Sequence, residues 1–150
     1  MEPENTTLFT KIIEGTIPAS VVTKGENWIS FLDIFPRSEG HTLVVPHQPA
    51  THISKLDDRQ LSSLWEGVVK TQKILSEYFE TSDFTIGIND GVFAGQEIPH
   101  VHVHLIPRTE NDGGGVPIIF PNKGPPQEPD FSALAELSNK LQKIDKKLSQ

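Results

Sequence analysis

Hydrophobic and polar positions follow one another along this chain in patterns that predict an alternation of helices and strands. The stretch LFTKII, residues 8–13, places its apolar side chains on one face of a short helix, which Gly15 ends. Strands are predicted by apolar runs bounded by turn residues or closed by proline. Two such strands lie within residues 20–34, around a turn at 24–27, and one strand lies within each of residues 40–46, 84–89 and 100–106.

The run DDRQLSSLWEGVVKTQKILSEYF, residues 57–79, predicts the longest helix. Asp57 and Gln60 resemble a capping box, in which each side chain binds the backbone N–H of the other residue. The apolar positions with helical spacing are Leu61, Leu64, Trp65, Val68, Val69 and Leu75. The resulting order α-β-β-β-α-β-β predicts an α+β fold, with helices packed on a mostly antiparallel sheet.

From residue 111 the sequence changes character. Residues 111–129 are rich in glycine and proline, which predicts an irregular loop. Beyond it, apolar residues recur at gaps of three and four, as in an amphipathic helix, at Leu134, Leu137, Leu141, Ile144 and Leu148. Docking of this helix on the chain's own sheet is preferred to docking on a partner. Residues 1–110 are therefore predicted to form the core domain, with a loop and a helix in 111–150 packed on the same domain.

Composition excludes several classes of protein. A chain of 150 residues fits one domain, and its net charge of −7 argues against broad contact with nucleic acid. The absence of cysteine rules out disulfides and thiolate metal sites. The polar, acidic start is unlike a signal peptide, and no apolar run approaches the ~20 residues of a membrane helix. A cytoplasmic protein without membrane association is therefore expected.

The stretch HVHVHLIPR, residues 100–108, holds three of the chain's six histidines at alternate positions. Side chains of a strand alternate between its two faces, so His100, His102 and His104 are expected to share one face. The aliphatic residues between them occupy the other face and can pack on a core. The preceding loop, residues 89–99, supplies glycines that permit close backbone approach to a ligand.

Three interpretations of this histidine face remain open from the residues alone. The imidazoles can be structural groups that form internal hydrogen bonds. They can bind a metal ion, with help from His41, His47 or His52 elsewhere in the chain. They can also catalyse phosphoryl or nucleotidyl transfer. In that case one histidine attacks phosphorus, while its neighbours neutralise phosphate charge and protonate the leaving group.

The segment HVHVHLI matches the signature of the histidine-triad (HIT) family, in which three histidines alternate with apolar residues. The stretches GQEIPHVHVHLIPR, FLDIFPRSEGHTLVVP and LFTKIIEGTIPA also resemble segments of that family, so the resemblance covers residues 7–108. It implies a HIT fold with a five-stranded, mostly antiparallel sheet and two main helices, to which a C-terminal helix is appended. It also implies a homodimer that binds a purine nucleotide resembling AMP and needs no cofactor.

The resemblance further implies a role for individual residues. His102 would attack the α-phosphate and form a nucleotidyl-histidine that water hydrolyses, while His100 and His104 bind phosphate and His41 is a fourth histidine of the site. Asp33 would bind the ribose. Other implied nucleotide-binding residues are Asn89, Gly95 and Gln96 near the phosphates and Phe9, Ile12 and Ile34 near the base. The implied dimer interface includes Trp65, Val68 and Val69 and the neighbouring strand FTIGIN.

Some positions depart from the family pattern. Many small HIT proteins begin with Cys-x-x-Cys, which binds zinc together with two histidines; this chain has Thr7 and Thr10 there, so no metal is expected, although His52 occupies a ligand position. His104 favours a hydrolase over the transferase branch, which has Gln there. Glu97 replaces a Ser or Thr near the leaving group. The substrate, a nucleoside phosphoramidate or a dinucleoside polyphosphate, stays open, and a nucleotide-binding scaffold with little turnover is the alternative.

Overall fold

A computed structural model of the chain describes residues 6–113 and 128–150. Its helices and strands are α1 (Leu8–Ile13), β1 (Val21–Lys24), β2 (Trp28–Leu32), β3 (Thr42–Pro46), α2 (Asp58–Phe79), β4 (Phe84–Gly87), β5 (Val103–Pro107) and α3 (Phe131–Leu148). The strands form one sheet in the order β1-β2-β3-β5-β4, and every neighbouring pair is antiparallel. The predicted α+β architecture, including the C-terminal helix, is confirmed.

Helix α2 covers one face of the sheet. Its start is the predicted capping box: the Asp57 carboxylate accepts from the N–H of Gln60, and the Gln60 side chain accepts from the N–H of Asp57. Leu64, Val68 and Leu75 are buried against the sheet residues. The resemblance implied that Val68 lies in a dimer interface. This expectation is wrong, because the Val68 side chain is 2% exposed and belongs to the core of its own chain.

The opposite face of the sheet carries α1 and a second, smaller core. Alternation along β2 and β3 sends Ile29, Phe31, Leu43 and Val45 to this face, where Phe9 of α1 packs on them. His104 pairs with Leu43 across the β3–β5 ladder, so its side chain also lies on this face. The candidate site therefore lies on the side of the sheet that α2 leaves uncovered.

Helix α3 packs across β1 and against α2. Leu134, Leu137 and Leu141 are buried in the main core. The Ser138 hydroxyl and the Gln142 amide both donate to the carbonyl of Val21, at the irregular end of the β1–β2 ladder. These contacts cover the β1 edge of the sheet, whereas β4, at the other end, pairs with β5 alone among the described residues.

Strand β5 is shorter than the sequence predicted. Its ladder with β3 begins at Val103, so His100 and His102 precede the strand instead of lying within it. Pro46, at the end of β3, has no N–H to continue the ladder, and the N–H of Val101 donates instead to the carbonyl of Ala50. Most of the glycine- and proline-rich loop, residues 114–127, falls outside the described residues. None of the helices in the described ranges has the length and apolar character needed to cross a bilayer.

Candidate active site

His102 lies at the entry to β5 and is held through one ring nitrogen. Its Nδ1 is 2.7 Å from the carbonyl oxygen of His100. A carbonyl can only accept, so Nδ1 carries the proton and donates. In the neutral ring the lone pair is then on Nε2. Burial lowers the pKa of His102 from its ordinary value of 6.5, so the ring is neutral at neutral pH. The hydrogen bond thus fixes both the tautomer and the orientation of a neutral imidazole.

His41 and His104 form a second, directed pair beside it. The backbone N–H of Arg37 donates to Nδ1 of His41 at 3.1 Å, which leaves the proton of the neutral ring on Nε2. That Nε2 lies 2.9 Å from Nδ1 of His104, which must accept, so the proton of His104 is on Nε2. Burial lowers the pKa of His41 to about 3 and that of His104 to about 4.

Asp33 is brought to the same place by the turn between β2 and β3. Its Oδ2 lies 3.6 Å from Nε2 of His41, while Oδ1 accepts from the N–H of Phe35 at 2.8 Å. Burial raises the pKa of Asp33 above its ordinary value. Gly40 shapes this turn: its φ is +88°, and a Cβ there would lie 2.3 Å from the ring of Phe79. The turn therefore brings Asp33 and His41 together.

His100 has a position that differs from the one expected of a phosphate ligand. Its side chain is fully buried, and both ring nitrogens have protein partners. Nε2 donates to the carbonyl of Pro46 at 2.8 Å, so Nδ1 of the neutral ring accepts from the hydroxyl of Thr7 at 2.7 Å. The ring therefore has no proton or lone pair to offer a phosphate, and it is the His100 carbonyl that acts on His102.

The loop before the triad is tied to the segment after β3. Gln96 is buried, and its amide donates to the carbonyl of Thr51 at 2.8 Å. Gly95, with φ of +93°, ends a 3₁₀ turn at Val92–Ala94, and the Asn89 amide lies 3.9 Å from the place of its missing Cβ. Gln96 therefore anchors the loop, while Asn89 and Gly95 lie together within it.

The three residues expected around the base differ in exposure. Phe9 is 4% exposed, and the centroid of its ring is 5.0 Å from that of His102, edge to face. It is a core residue beside His102 and has little surface for a base. Ile12 is partly buried against the same cluster, whereas Ile34 is 41% exposed beside Asp33. Of the three, Ile34 is the most exposed.

Sequence reasoning missed Arg37. Its backbone directs the proton of His41, and its charge contributes to the lowered pKa of His41 and His104. The signal was available, because a single basic residue stands between Asp33 and His41 in the block that resembles the HIT family. Glu97 acts in the opposite sense, since its carboxylate raises the pKa of both His102 and Asp33. Both charges also act on Asp33, where that of Arg37 lowers the pKa and that of Glu97 raises it.

Metal binding is a poor fit to these side chains. Among the described residues, one group of three potential ligands lies close enough for an ion: Asp33, His41 and His104. Nε2 of His41 carries a proton there, because Nδ1 already accepts from Arg37. At the position where family members have cysteines, the Thr7 hydroxyl donates to the His100 nitrogen that a zinc ion would need. The hydrogen bonds thus account for both clusters without an ion.

Relatives with similar sequences include proteins named as nucleotide hydrolases. The chain is 45% identical over 106 residues to an uncharacterised HIT-like protein of Methanocaldococcus jannaschii, covering 71% of this chain and 81% of the relative. It is 41% identical over 83 residues to the asymmetrical bis(5′-nucleosyl)-tetraphosphatase of Schizosaccharomyces pombe, covering 55% and 46%. It is 32% identical over 138 residues to an adenosine 5′-monophosphoramidase of Candida albicans, covering 89% and 88%.

Solved structures share the whole architecture. A histidine-triad nucleotide-binding protein of Sulfolobus tokodaii superposes with a TM-score of 0.79 at 28% identity, over 93% of this chain and 92% of that one. A zinc-bound histidine-triad protein of Mycobacterium smegmatis gives 0.74 at 26% identity, over 96% of each chain. The HIT domain model matches residues 14–111. With its triad, its fold and these relatives, the chain belongs to the histidine-triad family.

Proposed function

We propose that this protein is a nucleotide hydrolase in which His102 attacks the α-phosphate of a purine nucleotide. The observation that carries the proposal is the hydrogen bond from Nδ1 of His102 to the carbonyl of His100. It leaves the lone pair on Nε2 of a neutral ring, which is the form of histidine that is nucleophilic toward phosphorus. Burial lowers the pKa of this ring and so keeps it in that form at neutral pH.

The reaction proceeds in two displacements. The lone pair of His102 Nε2 forms a bond to phosphorus while the bond from phosphorus to the leaving group breaks, and the leaving group takes up a proton from solvent. A water molecule then attacks the phosphorus of the nucleotidyl-histidine and releases a proton to solvent. The P–N bond breaks, the nucleoside monophosphate is released, and His102 regains its neutral form with the proton on Nδ1. The carbonyl of His100 stabilises the positive charge of the ring during the intermediate.

His104 has a ring N–H with which to bind the phosphate, and the neutral ring of His41 fixes the position of that proton. The proton on Nε2 of His104 follows from the hydrogen bond by which its Nδ1 accepts from His41. A ring N–H can donate to a phosphoryl oxygen, whose negative charge grows in the transition state. Arg37 adds positive charge on this side of the site. Ribose binding is assigned to the Asp33 carboxylate, which lies beside His41 and His104, and contact with the base is assigned to the exposed apolar side chain of Ile34.

Two classes of substrate with different leaving groups are considered, nucleoside phosphoramidates and dinucleoside polyphosphates. One relative is named as a phosphoramidase and another as a dinucleoside tetraphosphatase. The phosphoramidase is matched over 89% of this chain, the tetraphosphatase over 55%. The carboxylate of Glu97 raises the pKa of both His102 and Asp33, so its charge is felt at the site. This negative charge repels a polyphosphate leaving group more than an amine leaving group. We therefore favour nucleoside phosphoramidates over dinucleoside polyphosphates.

A substrate panel tests this proposal. Adenosine 5′-phosphoramidate, Ap3A and Ap4A are compared by kcat/KM per active site, and AMP binding is measured by calorimetry. We expect turnover of at least one substrate, with the phosphoramidate preferred. A protein that binds AMP but turns over none of the three would be a nucleotide-binding scaffold instead. A preference for Ap4A would overturn the assignment of the leaving group alone.

We propose, as a separate point, that the protein acts as a cytoplasmic homodimer. Trp65 and Val69 on the outer side of α2 are 42% and 49% exposed, and with Leu148 of α3 they line a groove of about 690 Å³. Strand β4 forms the sheet edge that α3 leaves uncovered. An exposed apolar surface and a sheet edge that no other described strand pairs with are both features that a second copy can cover. Light scattering of the purified protein at micromolar concentration tests the oligomeric state.

A further inference from the structure

We infer that Thr7 is a positioning residue for the nucleophile, acting through His100. This inference rests on the proposed role of His102. The hydroxyl of Thr7 donates to Nδ1 of His100 at 2.7 Å, and the carbonyl of His100 accepts from Nδ1 of His102 at 2.7 Å. A single buried residue therefore links the first turn of α1 to the imidazole that attacks phosphorus.

The link has a defined direction because its acceptors are fixed. The carbonyl of Pro46 can only accept, so the proton of neutral His100 is on Nε2 and Nδ1 needs a donor. Thr7 supplies that donor. Loss of the hydroxyl would leave a fully buried ring nitrogen unsatisfied, and the ring would shift or change its tautomer to relieve this. A changed tautomer would also break the bond to the carbonyl of Pro46 and so displace the ring. We expect this displacement to reach the His100 carbonyl, on which the orientation of His102 depends.

The Thr7 hydroxyl is itself held by α1. It accepts from the backbone N–H of Thr10 at 3.1 Å, and the Thr10 hydroxyl accepts from the N–H of Thr7 at 3.1 Å. This reciprocal capping box leaves the proton of the Thr7 hydroxyl for His100. Phe9, on the same helix, contacts the rings of His100 and His102 with centroids 5.7 and 5.0 Å away. The start of α1 is thus assembled with the catalytic histidines as one unit.

A set of four variants separates this role from simple capping of the helix. Thr7→Val removes the hydroxyl and keeps the shape, and Thr7→Ser keeps the hydroxyl. Thr10→Val weakens the cap and removes the 3.2 Å contact between the two threonine hydroxyls, but it leaves the Thr7 hydroxyl free to donate to His100. Thr7→Gly removes the hydroxyl at little cost to the cap, since glycine is tolerated at that position, and it serves if Thr7→Val folds poorly. For each variant, kcat and KM are measured with the substrate that the wild type prefers. Folding is followed by Tm.

We expect kcat to fall about 10- to 100-fold in Thr7→Val and Thr7→Gly, with KM changed less than about twofold. Thr7→Ser and Thr10→Val should keep kcat within about threefold of the wild type, although Thr10→Val lowers Tm. Wild-type kcat in both Thr7→Val and Thr7→Gly would overturn the inference. So would a loss of kcat in Thr10→Val as large as that in Thr7→Val, because the effect would then come from the helix.

The ¹⁵N shifts of the histidine rings give a readout that does not depend on turnover. In the wild type, the proton should be on Nε2 of His100 and on Nδ1 of His102. In Thr7→Val, we expect a changed tautomer or broadened signals for both rings, restored in Thr7→Ser. Unchanged signals for both rings in Thr7→Val would refute the link even if the wild type proved to have no hydrolase activity. Altered signals without activity would leave the link standing and the proposed function wrong.

Discussion

Nε2 of His41 lies 2.9 Å from Nδ1 of His104 and donates its proton across that gap. The arrangement requires both rings to be neutral, because a proton on Nδ1 of His104 would face the N–H of His41. Burial supports this, since it lowers the pKa of His41 to about 3 and of His104 to about 4. The pair is therefore a neutral, directed hydrogen bond that depends on pH.

The first prediction concerns stability against pH. In the unfolded chain both rings bind a proton as the pH falls through about 6.5, whereas in the folded protein they stay neutral to about pH 4. The unfolded state therefore binds more protons in this window, and the free energy of unfolding falls as the pH is lowered from about 6.5 to 4. Urea unfolding at a series of pH values measures this slope.

His104→Asn supplies the comparison for that slope. The variant removes one of the two titrating rings, so its free energy of unfolding should depend less steeply on pH than that of the wild type. Burial raises the pKa of Asp33, so at pH values above the ordinary pKa of an aspartate this group makes the free energy of unfolding fall as the pH rises. Both proteins contain Asp33, so comparing them keeps that contribution constant. Identical slopes in wild type and variant would show that His104 does not contribute as described.

The second prediction concerns Glu97 and the nucleophile. The carboxylate of Glu97 raises the pKa of His102, so Glu97→Gln should lower it. The protonated ring cannot attack, and the acid limb of the kcat/KM profile should therefore move to lower pH. Glu26→Gln is the matched control, since Glu26 is exposed in the turn between β1 and β2, at the opposite end of β2 from Asp33. If the acid limb moved equally in Glu97→Gln and Glu26→Gln, the effect on His102 would not come from a local interaction with Glu97.

Much of the fold could be predicted because its signals are periodic. The Asp57–Gln60 capping box and the apolar repeat of α2 are both present as expected. The same pattern could not separate Val68, which is 2% exposed, from Val69, which is 49% exposed. Neighbouring residues on a helix lie about 100° apart, and where the buried stripe ends depends on the sheet and on α3. Only the packing of the sheet and α3 on α2 decides which of the two valines is buried.

The candidate site also has residues that sequence predicts and contacts that only the fold defines. Sequence predicts His41, His102, His104 and Asp33 as site residues, because the resemblance carries their types and spacing, and these roles stay predictions. The hydrogen-bond partners of His100 could not be predicted, since the carbonyl of Pro46 and the hydroxyl of Thr7 are distant from it in sequence. Burial of Phe9 follows from packing of α1 on β2 and β3, which is a long-range property. Contacts of this kind have no signal in local spacing.

The third prediction concerns metal ions. The Thr7 hydroxyl already donates to Nδ1 of His100, so incubation with a strong zinc chelator should leave both Tm and the hydrolysis rate unchanged. The double variant Thr7→Cys/Thr10→Cys places two thiols beside that nitrogen and should gain zinc affinity. Elemental analysis of the purified proteins measures both. One equivalent of zinc retained by the wild type would refute the metal-free arrangement.

The fourth prediction concerns two adjacent valines of α2. Val68→Asp puts a charge into the core and should prevent stable folding, with loss of the helical circular dichroism signal. Val69→Asp changes an exposed residue and should leave that signal intact. If the outer side of α2 is the dimer interface, Val69→Asp should scatter light as a monomer while the wild type is a dimer. A monomeric wild type, or a dimeric Val69→Asp, would contradict that location.

The fifth prediction concerns His102 itself. His102→Ala should lower turnover by about 10³-fold or more, because the covalent route is lost. AMP binding should change little, since the phosphate contacts are assigned to His104. His47→Asn serves as the control, because His47 is an exposed histidine in the loop after β3. Turnover at the wild-type rate in His102→Ala would exclude this residue as the nucleophile.

Trapping of the covalent intermediate tests the central claim most directly. The protein is mixed with its preferred substrate, quenched in alkali within milliseconds, digested and analysed by mass spectrometry. We expect one nucleoside monophosphate group on the peptide that contains His102, attached to that ring and absent in His102→Ala. A group attached to a different residue, or turnover during which no enzyme-bound nucleotide forms at any time, would contradict the assignment of His102 as the nucleophile.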